Sequence, residues 1–279
     1  MSSDWNSTTL TTVAEAFELL IELYGKGWLC RGQSSRYGCL VPSIDRKPRE
    51  NLSRPEKLSL ERQSIDLFRS TARFFSHPGE QNTLANDIIA LMVLRHYGVP
   101  TRLLDWSTSP YVAAYFACED DQCDGEMWSF DRPLYEQQGK KQWRQWPETT
   151  IDGSGNADQF RAGLTAFTRE DPPNWFICAF YPPGFHRQNA QNGAYTLTAR
   201  FGRDHAEAIA HLLDDDSRYH LYVVPAQLKA PLRALLRERH GIWRGSLFPD
   251  SAGAAETAGA VFVGDCAFRS EHIICSGPA

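Results

Sequence analysis

Several signatures that would assign a function directly are missing from this 279-residue chain. No CxxC pair occurs among its seven cysteines, Cys30, Cys39, Cys118, Cys123, Cys178, Cys266 and Cys275. Scattered and odd in number, they read as reduced thiols of a cytoplasmic protein, and no His/Cys grouping is tight enough for a zinc site, so no metal is expected. No apolar run is long enough to span a bilayer, and no basic-then-apolar start resembles a signal peptide. The net charge of −5 gives no bulk electrostatic case for nucleic acid. No GxGxxG follows a strand and no GxxxxGK[ST] is present, which removes support for a dinucleotide Rossmann site and a P-loop. The absence of GxSxG argues against an α/β-hydrolase serine. Internal repeats and low-complexity tracts are also lacking.

The composition is that of an ordinary globular protein, with 42% hydrophobic and 23% charged residues. Its length suits one large domain or two small ones. Residues 1–10 are polar and read as loose. Thr12 and Glu15 have capping-box spacing ahead of a helix from Val13 to Tyr24. Ser53 and Glu56 repeat that spacing before a helix expected to reach Phe75, and a third helix is expected over Asn82–Gly98. Trp28–Arg31, Arg102–Trp106, Gly125–Phe130, Trp175–Tyr181, Ala194–Arg200 and Tyr219–Val224 read as strands: short apolar runs bounded by Gly, Pro and polar turns. Asp204 caps a short helix, Pro231–His240 is a basic amphipathic helix stopped by Gly241, and Val261–Val263 reads as one last strand. Residues 131–173 show weak periodicity and read as an irregular insertion, in which Trp143 and Trp146 form either a ligand-stacking pair or the insertion's own core. Helices and strands do not alternate regularly. The expectation is therefore a single α+β domain with a mixed, mostly antiparallel split sheet flanked by helices.

The segment Leu94–Cys118 concentrates the polar chemistry. Leu94-Arg95-His96-Tyr97 closes an apolar helix, and Gly98 stands where a helix end favours a left-handed residue. Ser109 suits an N-cap and Pro110 the first helical position. Arg102, Asp105, the hydroxyls of Ser107, Thr108 and Ser109, and His96 are thus embedded in an otherwise apolar frame, where unpaired polar groups are costly. Arg102 and Asp105 have opposite parity along the strand, so Asp105 is expected to be a buried partner orienting Arg31 or His96. Earlier in the chain, Arg31 ends a short apolar strand beside Gly32. It is either a fork for an anionic ligand or the partner of a core acid. Helical phase places Glu61 on the buried face of its helix, with Arg31, Arg36 and Arg102 as candidate partners. Gln191 precedes a glycine at a strand start, where its amide is placed to read the polar edge of a ligand.

Trp28-Leu29-Cys30-Arg31-Gly32-Gln33, Leu40-Val41-Pro42-Ser43 and His96–Pro110 resemble the FRG domain family, named for a Phe/Tyr-Arg-Gly motif, with Cys30 standing in the aromatic position. Gln191-Asn192-Gly193-Ala194-Tyr195-Thr196 and Leu247-Phe248-Pro249-Asp250 resemble later elements of that family. The resemblance spans about residues 26–255, leaving an N-terminal helix over 1–25 and a tail over 256–279.

Arg-Gly on a first strand followed by Ser107-Thr108-Ser109 before a helix is also similar to the arginine/serine class of ADP-ribosyltransferases. That similarity implies an ADP-ribosyltransferase-like fold and NAD as substrate. The expected binding set is Arg31, Gly32, His96, Tyr97, Arg102, Thr108 and Ser109, and the expected catalytic set is Glu61, Ser107 and Gln191. The late strands lack a Glu-x-Glu or Gln-x-Glu; Gln188 and Gln191 occupy that region, and Glu61 is the inward carboxylate left to substitute. The implied function is an NAD-consuming transferase or glycohydrolase, a bacterial toxin or defence effector acting on a macromolecular acceptor. The alternative is a non-catalytic module that binds a nucleotide or a partner.

Overall fold

The computed structural model describes residues 5–72, 87–144, 167–180, 186–249 and 251–259. In chain order its elements are β1 (Ser7–Thr9), α1 (Val13–Lys26), β2 (Leu29–Gln33), α2 (Arg54–Ala72), α3 (Asp87–His96), β3 (Leu103–Ser107), α4 (Pro110–Ala117), β4 (Gly125–Phe130) and α5 (Arg132–Arg144). They continue with β5 (Ile177–Phe180), α6 (His186–Ala190), β6 (Gly193–Thr198), α7 (His205–Leu213), β7 (Tyr219–Val224), α8 (Ala226–His240), α9 (Arg244–Leu247) and α10 (Ser251–Gly259).

The expected local signals operate. Thr12 accepts from the Glu15 amide at 3.1 Å and Ser109 from the Val112 amide at 3.4 Å, each capping its helix. Gly98 ends α3 at φ +82°, with the Val99 amide bonded back to Leu94. The six expected strands that lie within the described residues all fall within one α+β sheet of seven strands, ordered β1-β7-β4-β2-β3-β6-β5. Every pairing is antiparallel except β1 with β7.

The sheet is single and not split as expected, although β2 and β3 part along most of their length. β2 and β3 share one register pair, Cys30↔Ser107, whereas β2 with β4 and β3 with β6 each share five. On one face, Cys30, Met127 and Val224 pack under α1, α4 and α8. Further along that face, Leu103, Tyr195 and Leu197 pack with α2 and α3. Asp105 pairs with Tyr195 across β3 and β6 between those two helical layers. Leu29, Leu104, Trp106 and Trp128 bury the opposite face against α7 and Tyr135 of α5.

Three expectations are corrected. Residues 5–10 carry an edge strand, because Trp5 is buried with its Nε1 donating to Ala206 O at 3.0 Å. Part of the 131–173 segment is a regular helix, α5. Asp131 Oδ1 accepts from the Leu134 amide at 2.9 Å, and Leu134 and Tyr135 anchor an otherwise polar sequence that has no long apolar stripe. The polar run from His186 contains helix α6 as well as a turn. The remainder of the insertion with Trp146, the side chain of Trp143, and Val261–Val263 lie outside the described residues.

Gly32 has a packing role. A Cβ there would lie 1.9 Å from Ala113 O, a backbone atom of α4. Neither rotamer change nor side-chain movement relieves such a contact, so Gly32→Ala is expected to destabilise the fold by about 1–3 kcal/mol, as overpacking does. Urea unfolding checks this, and unchanged stability would show that α4 shifts freely.

His205 is fully buried at the start of α7. Trp106 Nε1 donates to Thr196 Oγ1 at 2.8 Å, so the Thr196 proton goes to His205 Nδ1, also at 2.8 Å. Thr198 Oγ1 in turn donates to Arg200 O and receives His205 Nε2–H at 3.4 Å, which fixes the tautomer. Burial, with the charge of Arg31 adding, pulls this imidazole down to about 3. The unfolded chain protonates it near pH ~6.5, so its contribution is complete above that pH and lost as the pH falls toward the folded value. The expected slope is up to about 1.4 kcal/mol per pH unit. Stability curves of the parent and His205→Gln between neutral and acid pH should differ by that slope; parallel curves would show that His205 takes up its proton while folded.

Candidate functional site

A cleft of about 510 Å³ opens where β2 and β3 part, within the size range of small-molecule sites. Its floor follows from the topology. Leu29 and Cys30 face opposite sides of the sheet, so Arg31 starts on the α7 side. Its Nη1 crosses the gap to donate to Asp105 O at 2.7 Å, while its Nε donates to Gln33 Oε1 at 3.3 Å. Nη1 also stands 3.6 Å from the Asp105 carboxylate. Asp105 accepts from Arg95 Nε at 2.9 Å and Nη2 at 2.6 Å. Arg95 is braced from behind by Ser43 Oγ at 3.3 Å.

Electrostatics keep all three groups charged. Burial works to raise the Asp105 carboxyl, but Arg95 and then Arg31 overcome it and hold it below the usual carboxylate range. Asp105 in turn raises the Arg95 guanidinium above its ordinary value. Burial draws Arg31 down to about 10, still fully protonated at neutral pH. Tyr195 stands opposite Asp105; burial, with Asp105 adding, holds its phenol well above the ordinary range. Gln188 Nε2 donates to the Tyr195 hydroxyl oxygen at 2.9 Å.

The mouth is aromatic and carries a third arginine. Tyr97 is 71% exposed, a large apolar ring left open at the rim, and His96 meets it edge-on. Phe116 and Phe248 meet edge-on opposite. Arg187 stacks on Phe248 with its guanidinium 4.1 Å from the ring centre and donates to His96 O at 3.3 Å. Gln191 Nε2 donates to Leu247 O at 3.1 Å, tying this wall to α9.

Of the residues singled out from sequence, Arg31, Gly32, His96, Tyr97, Asp105, Ser107 and Gln191 line the cleft. Asp105 is not the buried partner expected: its side chain is 43% exposed to the cleft, and it holds Arg95 more closely than Arg31. Ser107 Oγ donates to Gln191 O at 2.8 Å and accepts from the Ser109 amide at 3.0 Å, so its hydroxyl joins β3 to the turn before β6. Thr108 bonds Asn192 O through its amide at 2.9 Å, and Ser109 caps α4; neither lines the cleft.

Glu61 and Arg102 are not brought to it either. Arg102 Nε donates to the two Glu61 oxygens at 2.8 and 2.9 Å, its Nη2 also bonds Glu61, and its Nη1 donates to Phe167 O at 3.1 Å. Its guanidinium lies 4.0 Å from the centre of the Phe201 ring. Both partners are buried beside α2, in a separate small hollow, so this carboxylate has no access to a ligand in the cleft.

Sequence reading missed Arg95, Arg187, Tyr195 and Phe248 as cleft residues. For Arg95 a signal existed: it is a cation directly after the seven buried apolar residues Ile88–Leu94 of α3. Arg187 lies in a short polar run with no periodicity to orient it.

Residues 26–126 match the FRG domain. The match runs from the end of α1 into β4 and takes in the floor arginines Arg31 and Arg95 with Asp105 and Ser107. The wall built by Arg187, Gln191, Tyr195 and Phe248 lies beyond it. No curated protein and no solved structure matches the chain. No helix among the described residues is long and apolar enough to cross a membrane.

Proposed function

We propose that the cleft beside the FRG motif binds a nucleotide, with NAD as the first ligand to test. The supporting observation is the charge balance of its lining among the described residues: three arginines, Arg31, Arg95 and Arg187, against one carboxylate, Asp105. Arginine forks suit phosphate geometry, and the exposed Tyr97 ring at the rim suits a base. Arg31 Nη2 makes no hydrogen bond among the described residues and remains free for a phosphoryl oxygen. Calorimetry with NAD and with inorganic phosphate tests the reading; heat with NAD that phosphate suppresses is the expected result, and no binding of either ends it.

A second reading, an NAD-consuming transferase or glycohydrolase with a macromolecular acceptor, is favoured by the state of Asp105. It is ionised and faces the cleft. Cleavage of the nicotinamide–ribose bond develops positive charge on the ribose, which a carboxylate stabilises. Two arginines already claim this carboxylate, which places plain nucleotide binding ahead. Nicotinamide release and transfer of label from NAD to lysate proteins, both lost in Asp105→Asn, would move the transferase reading to first place.

A further inference from the structure

Arg187 stands at the cleft mouth with neutral partners among the described residues. Among the described residues no carboxylate pairs with it. Its bonds are to a neutral carbonyl, His96 O, and to the Phe248 ring. The other two cleft arginines are different in kind: both converge on Asp105, and Arg187 does not. A half-buried cation with neutral partners is costly until an anion reaches it. Stacking on Phe248 also fixes the guanidinium plane beforehand, which reduces the ordering a ligand must impose. The cleft thus has two separate cationic poles, one on the floor around Arg31 and Arg95 and one at the mouth on Arg187.

Resting on the nucleotide reading above, we infer that Arg187 receives a second anionic group, so that the cleft selects a nucleoside diphosphate over a nucleoside monophosphate. The floor takes one phosphoryl group and the mouth the other. A monophosphate satisfies one pole only.

The test is calorimetry with ADP and AMP on the full chain and on Arg187→Gln and Phe248→Leu, each first checked for a cooperative thermal transition. The parent protein should bind ADP about tenfold or more tightly than AMP, the scale of one charge-assisted hydrogen bond. Arg187→Gln should abolish that preference by weakening ADP binding about tenfold more than AMP binding. Phe248→Leu keeps the charge but frees its plane, and should lose part of the preference, again by weakening ADP more than AMP; it carries the test if the glutamine variant does not fold. An ADP preference that survives in these variants, or an equal loss for both nucleotides, overturns the inference while the nucleotide site stands. Failure of the parent protein to bind either nucleotide removes the nucleotide reading and this inference with it.

Discussion

Arg31→Ala is expected to weaken NAD binding by roughly ten- to hundredfold, the equivalent of a charge-assisted hydrogen bond of about 1.5–3 kcal/mol. The side chain starts from the far side of the sheet and reaches the cleft through the parting of β2 and β3. Its loss also frees Asp105 from one of two cations. The Asp105 carboxyl should then titrate higher in Arg31→Ala than in the parent, since Coulombic support from Arg31 no longer helps Arg95 to oppose burial. Calorimetry gives the affinity and carbon-detected NMR the titration. Equal affinity in two folded proteins would exclude Arg31 as a ligand contact.

Breaking the pair between Glu61 and Arg102 should produce the largest loss of stability. Both side chains are nearly inaccessible, at 7% and 4%, and removing one leaves the other charged and buried. The expected cost of Glu61→Gln or Arg102→Ala is about 3–5 kcal/mol. In a chain of this size that is on the order of 10 °C in Tm. Ligand affinity measured on the folded fraction should not change, because the pair lies outside the cleft. Replacing both residues with leucine should recover much of the loss, as apolar substitutes for buried pairs do. A Glu61→Gln protein of normal stability with abolished NAD turnover would reverse this assignment and restore Glu61 as a catalytic carboxylate.

Much of the cleft was legible because it is local in sequence. His96, Tyr97, Asp105, Trp106 and Ser107 line one cleft along a single helix–turn–strand path, α3 through Gly98 into β3. The Gly98 helix end, the Ser109 cap and Pro110 set that path by short-range sterics and hydrogen bonds that residue identity alone controls. The same holds for Glu61: helical phase showed that it must be buried and paired, since that depends only on spacing along one helix.

Which arginine answers Glu61 was a different kind of question. Arg31, Arg36 and Arg102 were the candidates, with Arg31 and Arg102 foremost, and the choice required knowing that α2 packs on α3, which brings Glu61 to Arg102 just before β3. Arg187 and Phe248 were hidden for the same reason. They join Tyr195 and His96 in one cleft only after β6 pairs with β3 and α9 docks beside α6. Trp5 and α5 followed long-range burial, which the polar residues around them concealed. By itself the sequence determined element types, caps and the buried polar stretch, because these depend on neighbours a few residues apart. Only the tertiary structure decided which charges meet and where the sheet parts, because those depend on strand register and helix docking between residues far apart in the chain.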